Sequence, residues 1–136
     1  LEKDRFSRNK EDTTMHKPKE DLPVKMEAPG TTVRAMGGLG GMVIAYDEVP
    51  AGADLTPMFE GLPDDKCPCP HWGYVLKGAI RLRYTDGKEE VVKAGEVFYM
   101  PSGHTGVVEE DLAMIEISPE KDYEEVMEHI ASKMSG

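Results

Sequence analysis

Residues 73–104 read GYVLKGAIRLRYTDGKEEVVKAGEVFYMPSGH. Within this stretch Ile80-Arg81-Leu82-Arg83-Tyr84 alternates apolar with basic residues, the pattern of a strand with one buried face. Thr85-Asp86-Gly87-Lys88 then supplies a hairpin turn, because Asp-Gly tolerates the positive φ angles that tight turns require. The same texture continues on both sides. Short apolar runs occupy Thr31 to Met36, Met42 to Val49, Leu55 to Phe59, Tyr74 to Leu76, Glu89 to Val92, Val97 to Met100, Gly106 to Val108 and Leu112 to Ile117. Punctuation by Gly, Pro and Asp-Gly at this spacing predicts an all-β antiparallel sandwich or barrel.

The last segment breaks the pattern. Ser118 is placed to cap a helix, with Pro119 at the first helical position and Glu120 and Asp122 in the first turn. Tyr123, Val126, Met127 and Ile130 recur at helical spacing and form one apolar stripe to lay against the sheet. Residues 1–30 are read as a flexible N-terminal arm, since their charges are mixed and apolar periodicity is nearly absent. Gly37-Gly38-Leu39-Gly40-Gly41 is read as a tight turn, because a strand-like run follows it where a phosphate cradle needs a helix N-terminus.

A chain of 136 residues fits one domain that buries its own core. Its formal net charge of -10 offers no broad basic surface, so neither nucleic acid nor an anionic membrane is an expected partner. No apolar run reaches bilayer length, and a soluble cytoplasmic protein is the expectation. Two cysteines are too few for a secreted disulfide framework, and their C-x-C spacing is not that of a thioredoxin-like motif.

The stretch quoted first resembles the barrel of the cupin superfamily. That family's first motif has the form G-x5-H-x-H-x3,4-E-x6-G and its second G-x5-P-x-G-x2-H-x3-N. Tyr74-Val75-Leu76-Lys77-Gly78 matches the end of the first, and Gly95 to Gly103 matches the start of the second. The resemblance implies an antiparallel double-stranded β-helix, the cupin jelly-roll barrel, over residues 31–118, which leaves 119–136 for the C-terminal helix already read from its capping and spacing. It also implies a homodimer, which the need to cover exposed sheet edges favours as well. The ligand positions depart from the pattern. His71 stands where the family has glutamate, Cys67 and Asp65 stand at the two histidine positions, and Gly106 replaces the second-motif histidine, with His104 two residues earlier.

Cys67-Pro68-Cys69-Pro70-His71 gathers both thiols and an imidazole within five residues. A residue before proline is pushed toward extended geometry, and in a strand residues 67, 69 and 71 would share one face. Soft thiolates with imidazole suit a divalent transition metal, zinc before iron or nickel. Cys67, Cys69 and His71 are therefore candidate ligands. The resemblance brings His104 from the opposite strand as a fourth, closing a Cys2His2 set or leaving a position for water or substrate. Inert buried thiols in a metal-free barrel, or a disulfide hindered by the intervening proline, are the alternatives. Either Tyr99 or Phe98 should face inward, which makes Tyr99 a candidate proton or hydrogen-bond donor to a ligand. Trp72 is expected at the barrel mouth.

Three functions follow as expectations. The first is a metal-dependent enzyme acting on a small molecule inside the barrel. The second is a non-catalytic module with a structural metal or a metal-free ligand pocket. The third, redox sensing, is opposed by the neighbouring Asp64 and Asp65, which disfavour thiolate.

Overall fold

Two strands, each longer than the sequence runs suggest, give the molecule its shape. In the computed structural model, which describes residues 15–135, Tyr74 to Leu76 and Ile80 to Tyr84 belong to one strand, β4 (His71–Tyr84). Gly106 to Val108 and Leu112 to Ile117 likewise belong to β7 (His104–Pro119). These two run antiparallel along their whole length, with register shifts between Val75 and Ile80. Gly78 sits in the bend at φ +83°, and a Cβ there would strike the Asp111 carbonyl oxygen, so glycine is required. At this bend the ladder passes from one layer of the molecule to the other.

The remaining strands flank the pair. They are β1 (Val24–Ala28), β2 (Thr31–Met36), β3 (Met42–Val49), β5 (Glu89–Lys93) and β6 (Val97–Met100). All pairings are antiparallel, in the order β1-β2-β3-β7-β4-β5 with β6 also on β4. The first half of β4 pairs with β6 and the last part of β7, and its second half pairs with β5 and the first part of β7. The result is an antiparallel jelly roll. Val75, Ile80, Leu82 and Val108 are fully buried between the layers.

Helix α2 (Glu120–Ser135) lays Tyr123, Val126 and Ile130 against Val43, Ala45 and Phe59, the stripe its spacing predicts. It starts one residue later than the capping pattern suggests, because Pro119 still pairs with Met42 at the end of β7. The Ser118 hydroxyl is engaged elsewhere, as described below. The Gly37 to Gly41 segment is a turn between β2 and β3. Leu39 and Met42 exchange two backbone hydrogen bonds of 3.3 Å, and the Gly38 amide donates to the Glu120 carboxylate.

Two expectations are corrected. Leu55 to Phe59 is not a strand: Thr56–Phe59 forms the short helix α1. Pro57 has no amide to give to a ladder, and the Asp54 carboxylate accepts the Thr56 amide at 3.0 Å to start a turn. Nor is the whole of 1–30 an arm. Residues 1–14 lie outside the described residues, but β1 pairs with β2 well before residue 31. The Arg34 guanidinium also donates to the carbonyls of Glu20 and Leu22, tying the preceding segment to the barrel. Among the described residues no helix is long and apolar enough to cross a membrane.

Candidate metal centre

Cys67 lies outside the regular strands, yet its backbone is laced to His104 at the start of β7. The Cys67 amide donates to the His104 carbonyl at 2.8 Å, and the Gly103 amide donates to the Cys67 carbonyl at 2.8 Å. Four residues on, His71 opens β4 opposite Met100 of β6. The Cys-Pro-Cys-Pro run is the short extended tether between these two anchors. It brings one donor atom each of Cys67, His71 and His104 within 4.8 Å of one another, all three residues buried. This is the one cluster among the described residues in which three such groups can hold a metal ion.

Each imidazole is oriented by its other nitrogen. His104 Nδ1 lies 2.8 Å from the Pro101 carbonyl oxygen, which can only accept, so Nδ1 carries the proton and Nε2 keeps its lone pair. His71 Nδ1 lies 2.7 Å from Ser118 Oγ and 3.3 Å from Glu116 Oε1, which leaves Nε2 toward Cys67 Sγ at 3.7 Å. Such outer hydrogen bonds are how proteins fix metal-binding histidines. Burial, with the neighbouring His71 charge next, lowers the His104 pKa to about 4, so this ring is neutral at pH 7. Tetrahedral zinc with bonds of about 2.0–2.3 Å needs donors about 3.3–3.8 Å apart. The Cys67–His71 separation already meets this, and the mixed sulfur and nitrogen set fits zinc-like ions by its chemistry.

Cys69 does not join them. Its Sγ lies 3.9 Å from His71 Nδ1, on the opposite side of the ring from Cys67, and 3.4 Å from the Pro70 carbonyl oxygen. The two thiols therefore flank His71 instead of sharing a face with it. The period-two reading fails here because residues 67–70 are a proline-bound tether and β4 begins only at His71. Both thiols are free and buried. Burial raises Cys67 well above the ordinary thiol range and pushes Cys69 up to about 12, so neither is a ready thiolate on its own.

Tyr99 also leaves the candidate set. In β6 it is Phe98 and Met100 that turn inward, while Tyr99 is 53% exposed and stacks on Trp72 with ring centroids 5.3 Å apart. Trp72 thus lies on the outer sheet face and not at a mouth. The register dictates this, since Trp72 pairs directly with Tyr99 and neighbours on a ladder share a face.

Sequence reasoning gives no site role to four polar residues beside the centre: Asp47 and Glu116, which it leaves unremarked, and Ser118 and Tyr123, which it assigns to the helix, all buried. Burial pushes Glu116 up, but His71 and a hydrogen bond from Asp47 outweigh it, and its pKa falls below the usual value. Asp47 goes the other way, raised by burial and then by the Glu116 charge. The two shifts run in opposite senses, so Glu116, beside His71, is the member of the pair that ionises more readily. Alternation along Leu112, Met114, Glu116 and Ser118, and along Val43, Ala45 and Asp47, is the signal that marks them as inward-facing.

A cavity of about 110 Å³ joins these groups, lined by Cys67, His71, His104, Asp47, Glu116 and Tyr123 and otherwise by apolar side chains.

A family model described as "Cupin domain" matches residues 68–110. Among solved structures, an RmlC-like cupin from Shewanella frigidimarina NCIMB 400 is 18% identical, covering 79% of this chain and 92% of its own, with a TM-score of 0.57. KdgF from Halomonas sp. is 21% identical over 79% and 94%, with a TM-score of 0.58. The polyketide cyclase RemF from Streptomyces resistomycificus is 23% identical over 79% and 80%, with a TM-score of 0.56. At these identities the likeness is one of fold. No curated protein matches the chain in sequence.

Proposed function

We propose that this chain is a member of the cupin superfamily that holds one zinc ion on Cys67, His71 and His104 and acts on a small molecule in the adjoining cavity. The observation that carries the reading is the paired orientation of the histidines. Each has its Nδ1 engaged by an outer partner, so Nε2 is the nitrogen left to face a metal, and Cys67 Sγ lies 3.7 Å from that of His71. Three protein donors is also the number that catalytic zinc sites use. Zinc bound there supplies a Lewis acid that polarises a carbonyl or lowers the pKa of a water. Cys67 would hold it as a thiolate, and Glu116 lies against the His71 ring at Nδ1. The apolar lining keeps bulk water away from the reacting group.

The test is a titration of reduced, metal-free protein with zinc, followed by elemental analysis after gel filtration. One equivalent retained per chain is expected. Protein that emerges without metal after reconstitution under reducing conditions would overturn the proposal. Burial of all three donors favours a second reading, in which the ion only braces the barrel. Under that reading Cys67→Ser lowers the melting temperature, and no activity is lost separately from stability.

Two free, buried thiols suit a reducing compartment, and we place the protein in the cytoplasm. We also propose a homodimer, through a sheet face and not through the edges. Ile44, Trp72, Tyr74, Val97, Tyr99 and Ile117 are all exposed on the outer side of β3, β7, β4 and β6, joined across the ladders by register. A contiguous apolar and aromatic face of this kind marks an association surface. The parent protein is expected to run as a dimer in light scattering at micromolar concentration, and Trp72→Glu with Tyr99→Glu as a monomer. A monomeric parent would sink this proposal.

A further inference from the structure

Two polar atoms in the cavity wall have no partner. Asp47 Oδ1 and the Tyr123 hydroxyl are buried and make no hydrogen bond, although Asp47 bonds Glu116 and both residues face the same cavity as the metal-ligand cluster. An unsatisfied buried polar atom is expensive, and native proteins keep very few. Two in one cavity, on a strand and a helix far apart in sequence, indicate a group that arrives from outside. Their chemistry limits that group. Because the hydrogen bond between Asp47 and Glu116 uses the other Asp47 oxygen, Oδ1 is left as an acceptor, while Tyr123 can donate. A hydroxyl satisfies both, donating to Oδ1 and accepting from Tyr123.

The rest of the lining sets size and charge. Among the residues around the cavity none is Lys or Arg, so no fixed cation faces a bound ligand. The arginines that could have clamped an anion are engaged elsewhere. Arg34 holds backbone carbonyls, and Arg81 and Arg83 pair with Glu109 and Glu89 on the exterior. Met58, Phe59, Ile80, Leu82, Met114 and Val126 offer only apolar contact. A volume of about 110 Å³ is somewhat below the roughly 150 Å³ of an engineered cavity that takes up benzene.

We infer that Asp47 and Tyr123 form a hydroxyl-reading subsite, and that the ligand of this cavity is a small, neutral, largely apolar alcohol or phenol. This deepens the proposed function by naming the substrate class of the same cavity, and it rests on that reading only for what the metal does once the ligand is bound.

The experiment uses the full chain without metal, so that failure of zinc binding and failure of the subsite are separate results. Phenol, toluene and benzoate are titrated into the protein, with binding followed by amide chemical shifts. Toluene replaces the hydroxyl by a methyl at the same shape, and benzoate adds a negative charge. Phenol is expected to bind roughly tenfold more tightly than toluene, as expected when an unmatched polar pair rejects an apolar isostere. Benzoate is expected not to saturate. In Tyr123→Phe and in Asp47→Val the phenol preference should fall to about threefold or less, while retained toluene binding shows that the cavity is intact. A phenol preference that survives both substitutions overturns the inference. So does benzoate binding as tightly as phenol, or an absence of phenol binding to the parent.

Discussion

Cobalt-loaded Cys67→Ser is expected to lose the thiolate-to-metal charge-transfer absorption completely, while cobalt-loaded Cys69→Ala keeps it. The two thiols are two residues apart and equally buried, so composition cannot separate them. Geometry does. Cys67 Sγ lies 3.7 Å from His71 Nε2, the nitrogen turned away from the outer partners, whereas Cys69 Sγ lies 3.9 Å from Nδ1, which Ser118 and Glu116 already occupy. Loss of the one sulfur ligand should weaken zinc by more than the roughly 10–100-fold that follows removal of an outer hydrogen bond. Ser118→Ala, which removes such a bond, should fall inside that range. Competition with a calibrated chelator measures all three. A charge-transfer band that persists in Cys67→Ser and vanishes in Cys69→Ala would show that the tether rearranges and that Cys69 is the ligand.

Much of the fold was legible because it depends on period-two patterning and turn chemistry. Met42 to Val49 and Val97 to Met100 coincide with β3 and β6, and Asp86-Gly87 turns the chain where expected. Continuity was not legible. A strand that bends through both layers at Gly78 reads in sequence as two short strands with a glycine between, because the register shifts interrupt the alternation. The centre was legible as a set of residue types and not as a geometry. Cys67, His71 and His104 stood out as donors, but which face of His71 each thiol takes depends on where β4 begins, and no local propensity decides that. Ser118 shows the same limit. As a residue before Pro-Glu it has the form of a helix cap, yet its hydroxyl is on His71, since the inward side of β7 continues to its end. Asp47 and Glu116 were overlooked for a different reason: single acids among many on an acidic chain stand out only when read in step with Val43, Ala45 and Met114.

Metal-free protein should lose about 3 kcal/mol of stability between pH 7 and pH 4 through His104 alone. In the unfolded chain this histidine titrates near 6.5, and in the folded chain near 4, because burial and then the His71 charge oppose protonation. Above 6.5 both states hold the ring neutral, and its contribution is fully present. Between 6.5 and 4 the unfolded chain takes up a proton that the folded chain refuses, so stability falls as pH falls. At about 1.4 kcal/mol per pH unit the loss reaches about 3 kcal/mol near pH 4. Asp47 acts in the opposite sense, since its raised pKa means that the unfolded chain gives up a proton first as pH rises. Glu116, with its pKa lowered, acts in the same sense as His104 but only below its ordinary value of 4.5. The His104 share is therefore read as a difference. Urea unfolding of the parent and of His104→Gln, each with chelator present, should give curves of stability against pH that converge toward pH 4 by about 3 kcal/mol. Curves that stay parallel from pH 7 to pH 4 would mean that the ring takes up its proton in place, and that His104 is open to water instead of turned into the cavity with its lone pair held for a metal.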